Sequence, residues 1–389
     1  MEEKKITIGL FTDSYLPMLD GVVMVVHNYA IRLAQYANVI VFAPKLKKEF
    51  DDSKLPFKVV RCKTWPLPLV DYRWPKPSLD KKFREELENI HLDVVHIHSA
   101  FGIGKEGVKY AQKHQVPIIS TLHSQHKRDF LERTHSRLFT HLVMKNLIKT
   151  LEQTDEKYAV NDKVADLYKE YGLKEKPGVL NNATDMRLVT DLTAVEKLKE
   201  LHGIKDEKIL LFVGRIDKIK NIPFILEVLK DLRQRQFPFK MLFIGGGKYF
   251  EKFKQTVSEY KLDEQVILVG KVYDRDLLAQ YYRLANLFVF PSTYDASSLV
   301  QIEAASQKTP TIFAKDSITS STVIPDVNGY SEELVVDKFA KKIVDIFSDE
   351  HKYLEVCEKA YEEVYIHWDD QVRKVYNHYL DLHHKNIKK

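Results

Sequence analysis

Along most of the chain, short apolar runs alternate with stretches in which apolar residues return every third or fourth position. In the first half the runs ITIGLF, NVIVFA, DVVHIH, PIISTL, KYAVN and PGVLN are of strand length. Helical periodicity lies between them, as from Gly21 to Tyr36 and from Leu138 to Leu151. That alternation predicts βα units around parallel sheets, an α/β fold. A polar stretch from Asn181 to about Glu207 holds a turn and a helix-like segment, after which KILLFVG opens a second series, continued by KMLFIGG, QVILVG, NLFVFP and TPTIFA. The tail from His351 to Lys389 reads as helical, with no further strand, and no internal repeat interrupts the pattern. Two doubly wound domains in tandem bind ligands at the carboxyl ends of their strands, so the chemistry is expected in strand-to-helix loops facing an interdomain cleft.

Length agrees with two domains, since 389 residues exceed one comfortable hydrophobic core. Hydrophobic residues at 44% and charged residues at 30% describe a globular chain. The opening MEEKKITIGLF has no apolar stretch before a small-residue cleavage site, and no run reaches the ~18 to 20 apolar residues of a membrane span. With the two cysteines, Cys62 and Cys357, far apart, a reduced, cytoplasmic setting is expected. The net charge of +5 is modest, but Lys and Arg concentrate with Trp65, Tyr72 and Trp74 in the proline-rich stretch from Arg61 to Arg84. That mixture suits an anionic membrane surface; it equally describes a solvated loop with its tryptophans folded onto the domain. No stacking platform or recognition helix points to nucleic acid.

Two loops carry unusual residues. In VGRIDKIKN a strand ends at Gly214 and is followed by Arg215 and Lys220 ahead of a helix. A guanidinium fork and a mobile ammonium together neutralise a diphosphate, although basic residues at a solvated helix start read the same way. In FPSTYDASSLVQIEAASQKTP a buried strand and a proline stop lead to Asp295 and to a helix beginning near Ser297 or Ser298, whose free amides would face an anion. Asp295 reads as a sugar ligand or a cap. Glu303, inside the helix among Val300, Ile302, Ala304 and Ala305, needs a partner, either a ribose diol or an internal salt bridge. Asp274 and Asp276 form a DxD triplet that opens a helix and is read as a cap. Gly245 to Gly247 lack the full dinucleotide fingerprint and are read as a tight turn. His123 ends a strand; with His98 and His126 it makes a conceivable metal site, but no carboxylate or cysteine completes a ligand spacing.

Arg215 and Lys220 five residues apart, then PS, an acid, a helix and EAA about eighty residues on, resemble the donor site of retaining family-4 glycosyltransferases, which have the two-domain GT-B fold. FTDSYLPMLDGV, DVVHIHSAFG, STLHS, VLNNATD and FIGGGKYFEKF extend the resemblance over nearly the whole chain, and the form is similar to bacterial enzymes acting on lipid or cell-surface acceptors. The family usually has two glutamates separated by seven residues, where this chain has Asp295 and Glu303 at the same separation. The resemblance implies that Arg215 and Lys220 contact the donor diphosphate, that Glu303 holds the ribose and Asp295 the transferred sugar, and that the amides of Ser298 and Leu299 complete the phosphate cradle. It gives Gly21 a glycine turn approaching the diphosphate, with Asp20 in place of a second glycine, and sets His123 beside the transferred sugar. Residues 1–185 are then the acceptor domain, 186–365 the donor domain and 366–389 a helix crossing back. The function implied is metal-independent, retaining transfer of a hexose from a nucleotide sugar, UDP-glucose or a related donor, without a cofactor. The acceptor would be a membrane glycerolipid such as diacylglycerol, or a cell-surface precursor, with the enzyme peripheral on the inner membrane face. An inactive GT-B subunit that recognises a protein for an active partner, and a nucleotide-sugar epimerase, are the alternatives.

Overall fold

The computed structural model describes residues 5–18, 20–47, 50–66 and 73–388. The chain forms two compact units, Met1–Asn182 together with Trp368–Lys389, and Ala183–His367.

In the first unit, strands β1 (Thr7–Phe11), β2 (Asn38–Pro44), β3 (Lys58–Cys62), β6 (Val94–Ile97), β7 (Ile118–Leu122), β8 (Glu156–Ala159) and β9 (Gly178–Val179) form one parallel sheet in the order β3-β2-β1-β6-β7-β8-β9. Its central strands β6 and β7 are buried at every position, as expected of a parallel sheet covered on both faces, although they carry the polar His96, Ser120 and Thr121. The C-terminal helix Trp368–Ile387 belongs to this unit. Tyr379 on it meets His96 Nδ1 at 2.5 Å, and Gln371 donates to the Asn181 carbonyl at 2.7 Å.

The described part of the stretch read as a proline-rich loop carries regular structure. It contains the end of β3, then β4 (Thr64–Pro66) paired antiparallel with β5 (Arg73–Pro75), Trp65 directly opposite Trp74, and after them the helix Lys81–Glu88. The tryptophans are not folded down: they are 57% and 52% exposed. Lys76 bridges them, its ammonium 3.7 Å from the Trp74 ring centre and 5.6 Å from that of Trp65. Tyr72 and the first four residues lie outside the described residues.

The second unit holds β10 (Lys208–Val213), β11 (Phe239–Ile244), β12 (Val266–Gly270), β13 (Leu287–Phe290), β14 (Thr311–Ala314) and β15 (Tyr330–Glu332), all parallel in the order β12-β11-β10-β13-β14-β15. Phe212, Phe288 and Phe290 stack through its centre. In each unit the order runs outward in both directions from a central pair, β1/β6 in the first and β10/β13 in the second. That is the doubly wound topology, and its switch points are where such sheets bind ligands. β3 and β15 were not among the expected strands, because KVVRC and YSE are short and only partly apolar. Among the described residues no helix is long and apolar enough to cross a membrane.

Candidate active site

The switch point of the second unit is built by the loops after β10 and β13. Gly214 follows β10 with φ 152°, and its amide donates to the Ile244 carbonyl at 2.9 Å. Gly245 makes this approach possible: its φ is 137°, and a Cβ there would sit 1.9 Å from the Gly214 carbonyl oxygen. The glycine triplet thus buttresses the loop that carries Arg215. Gly245→Ala is expected to destabilise the protein by roughly 1–3 kcal/mol, from overpacking and backbone strain, which urea unfolding would measure. Past the short 3-10 turn Lys218–Lys220, Asn221 adopts φ 60°, tolerated by Asn, and its Nδ2 donates to the Pro291 carbonyl at 3.2 Å. That bond ties the two loops together. Beside it Lys220 Nζ meets Asp295 Oδ1 at 2.5 Å, with the two side chains only 14% and 17% exposed. Arg215 is exposed and has no ion pair among the described residues.

The helix after β13 spans Leu299–Ser306, with Ser298 as its N-cap accepting from the Gln301 amide at 3.2 Å. The Leu299 amide, one residue past the cap, has no partner among the described residues. Glu303 has the internal salt bridge that stood as one of its two expected partners. Arg275 Nη1 donates to its Oε1 at 2.8 Å and the Tyr282 hydroxyl to its Oε2 at 2.9 Å, while Arg275 Nη2 reaches Asp185 Oδ1 at 2.5 Å. Burial pushes the Glu303 carboxyl up, against the pull of Arg275 and of the Tyr282 hydrogen bond. Burial also works against the Arg275 charge, but Glu303 and Asp185 outweigh it and raise the guanidinium further. Sequence reasoning missed Arg275, Tyr282 and Asp185. The signal was the arginine inside the DxD triplet, of which only the cap was read: Asp274 does cap the helix Arg275–Leu284, accepting from the Asp276 and Leu277 amides.

In the first unit Gly21 is not in a turn. It is the first residue of the helix Gly21–Leu33, a Cβ on it would meet nothing within 4 Å, and Asp20 is the N-cap, accepting from the Val23 amide at 2.8 Å. The acid of FTDSYLP, given no role from sequence, binds the two switch-point loops: Asp13 accepts from the Ile103 amide at 2.7 Å and from Ser99 Oγ at 2.5 Å.

His123, just past β7 and partly buried, stands next to the buried His98 and His96. Its Nε2 lies 3.1 Å from His98 Nδ1, and the His98 and His96 ring centres are 4.1 Å apart. Burial pushes His96 and His123 down to about 3 and His126 to about 4, so all three are neutral at pH 7. His126 packs edge-on against Phe101. Among the described residues no group of three His, Cys, Asp or Glu side chains is arranged to hold a metal ion.

The family model described as Glycosyltransferase Family 4 matches residues 19–188, and that described as Glycosyl transferases group 1 matches residues 195–363. The chain is a glycosyltransferase of the family-4 type. This glycosyltransferase is similar to the alpha-monoglucosyldiacylglycerol synthase of Acholeplasma laidlawii, with 27% identity over 98% of both chains. The synthase of the same name from Streptococcus pneumoniae is 25% identical, over 85% of this chain and 73% of its own. Among solved structures, HepE from Anabaena in complex with UDP-glucose superposes with a TM-score of 0.71 at 15% identity, covering 96% of this chain and 99% of its own. The glycosyltransferase therefore has the GT-B fold of two Rossmann-like domains.

Proposed function

We propose that the enzyme transfers glucose, or a closely related hexose, from its UDP-sugar to a diacylglycerol-type lipid with retention at the anomeric carbon and without a metal. The observation that carries the donor side is the meeting of Lys220 and Asp295 at the β10/β13 switch point, with the exposed Arg215 in the same loop. Lys220 and Arg215 neutralise the departing diphosphate, helped by the amides of Ser298 and Leu299 at the helix start. Asp295 orients Lys220 and accepts from sugar hydroxyls, and Glu303 accepts from the ribose. His123, held neutral, accepts from or donates to a sugar hydroxyl without adding charge.

The lipid side is supported by the two synthases above and by the surface of the first unit. The exposed Trp65–Lys76–Trp74 cluster sits on the hairpin, and on the helix Arg137–Leu151 Leu138, Phe139 and Leu142 are exposed together, Leu138 at 71%. Spacings of three and four residues put these apolar side chains on one face. Aromatic rings with adjacent cations favour the headgroup layer of an anionic bilayer. The double variant Trp65→Ser/Trp74→Ser is expected to bind anionic vesicles roughly tenfold more weakly in a flotation assay, with UDP affinity unchanged.

The test is release of nucleoside diphosphate from a panel of UDP- and GDP-sugars, with and without vesicles containing diacylglycerol, in EDTA. Release from one UDP-sugar that rises with the lipid supports the reading. Binding of UDP-sugar without turnover on any acceptor points instead to an inactive subunit serving a protein partner, and conversion of the donor without acceptor to an epimerase.

A further inference from the structure

Arg275 occupies the first turn of the helix Arg275–Leu284, where the positive end of the helix dipole disfavours a cation. What holds it there is acidic on both sides: Glu303 at 2.8 Å and Asp185 at 2.5 Å. Seven residues on, along the same helix face, Tyr282 is fully buried and donates to the other Glu303 oxygen at 2.9 Å. Each carboxylate oxygen accepts two hydrogen bonds, so these contacts leave one acceptor position on each. A vicinal diol supplies two hydroxyl donors and matches that remainder, provided the carboxyl is ionised; a protonated carboxyl turns one of the two acceptors into a donor.

We propose that Arg275 is a positioning residue for the donor, holding Glu303 ionised and aimed so that both its oxygens accept from the ribose of a nucleoside diphosphate. The proposal rests on the assignment of the ribose to Glu303 made above. The other groups around Glu303 do not replace Arg275. Asp185 is an acid and repels the Glu303 charge. On the turn Ala360–Val364, packed against the Glu303 helix, Glu362 and Glu363 are engaged by Lys359, and Glu363 also by Asn328. Tyr361 on that turn lies beneath Lys308, and the Glu303 helix itself carries no second titratable side chain. Burial opposes the Glu303 charge and Arg275 is the largest influence against it.

Without the guanidinium the carboxyl of the folded protein rises further above its unfolded value. A carboxyl raised by folding destabilises the fold as pH climbs through that interval, so acidification relieves the apo protein while removing an acceptor from the ribose. The two effects have opposite signs, which a purely structural role of Arg275 does not produce.

The experiment compares wild type, Arg275→Met, Glu303→Gln and the double variant by calorimetric UDP binding and by apo melting temperature between pH 6 and 9. Relative to wild type, Arg275→Met is expected to bind UDP roughly tenfold more weakly at pH 6 and to recover toward pH 9, while its apo melting temperature falls over the same interval. The double variant loses both slopes. Arg275→Gln, which keeps an N–H toward Glu303 but no charge, shows the same slopes should the Met variant not fold. An equal loss of affinity at every pH, or no loss, overturns the proposal. If Glu303→Gln leaves UDP affinity unchanged, the ribose assignment itself is wrong and the proposal falls with it. If Glu303→Gln weakens UDP while neither neutral Arg275 variant adds a pH slope, only the role given to Arg275 fails.

Discussion

Lys220→Ala is expected to lower turnover of UDP-glucose by roughly 10²–10³-fold, the usual loss when one preorganised electrostatic group facing the transition state is removed. As the glycosidic bond breaks, charge builds on the departing diphosphate, and a cation already in place lowers that barrier without having to reorganise. Lys220 is in place: Asp295 holds its ammonium, Phe290 lies beneath it 5.6 Å away, and the Asn221 bond to the Pro291 carbonyl fixes the two loops together. Lys220→Arg keeps the charge but changes its reach, and is expected to recover part of the loss. Arg215→Ala follows in the same direction with a smaller effect, since Arg215 is solvent-exposed. Steady-state kinetics with the lipid acceptor separate the outcomes. A wild-type kcat in Lys220→Ala would place the diphosphate elsewhere.

Acidification from pH 7 to 5 is expected to cost the first unit much of its stability, independently of the donor site. His96 is fully buried, bonded to Tyr379 and Thr121, and its folded value of about 3 lies far below that of an unfolded imidazole. A group depressed in this way contributes its full stability above about pH 6.5 and loses it as pH falls toward the folded value. At pH 5 the loss from His96 alone is about 2 kcal/mol. His98 and His123 act in the same direction, burial depressing both. Urea unfolding at the two pH values measures the change, and His96→Gln should lose about 2 kcal/mol less than wild type between them. Equal losses would show that His96 takes up its proton in the folded protein. The same depression means that kcat should show no imidazole inflection from His123 between pH 5 and 8.

What the sequence revealed follows from the range of the forces involved. The runs KILLFV and LFVF announce buried parallel strands because burial on both faces demands unbroken apolar residues. Asp274 was legible as a cap because capping is settled within three residues. The partners of Glu303 were not, since Arg275 lies 28 residues away and the pairing depends on how two helices pack. Asp13 was hidden for the same reason, as its hydrogen bonds reach Ser99 and Ile103 across β1 and β6. Gly21 was misread because glycine's freedom was assumed at a position where the backbone is helical and the surroundings are open. The pairing of Trp65 with Trp74 needed the register of a hairpin that the prolines of that stretch disguised.

The most direct test of the donor site is hydrogen–deuterium exchange of the full protein with and without UDP, read peptide by peptide. Slowed exchange is expected in peptides covering residues 214–221 and 295–303, which follow β10 and β13, with loss of that protection in Lys220→Ala. UDP binding that leaves both segments unprotected would contradict the donor site proposed here.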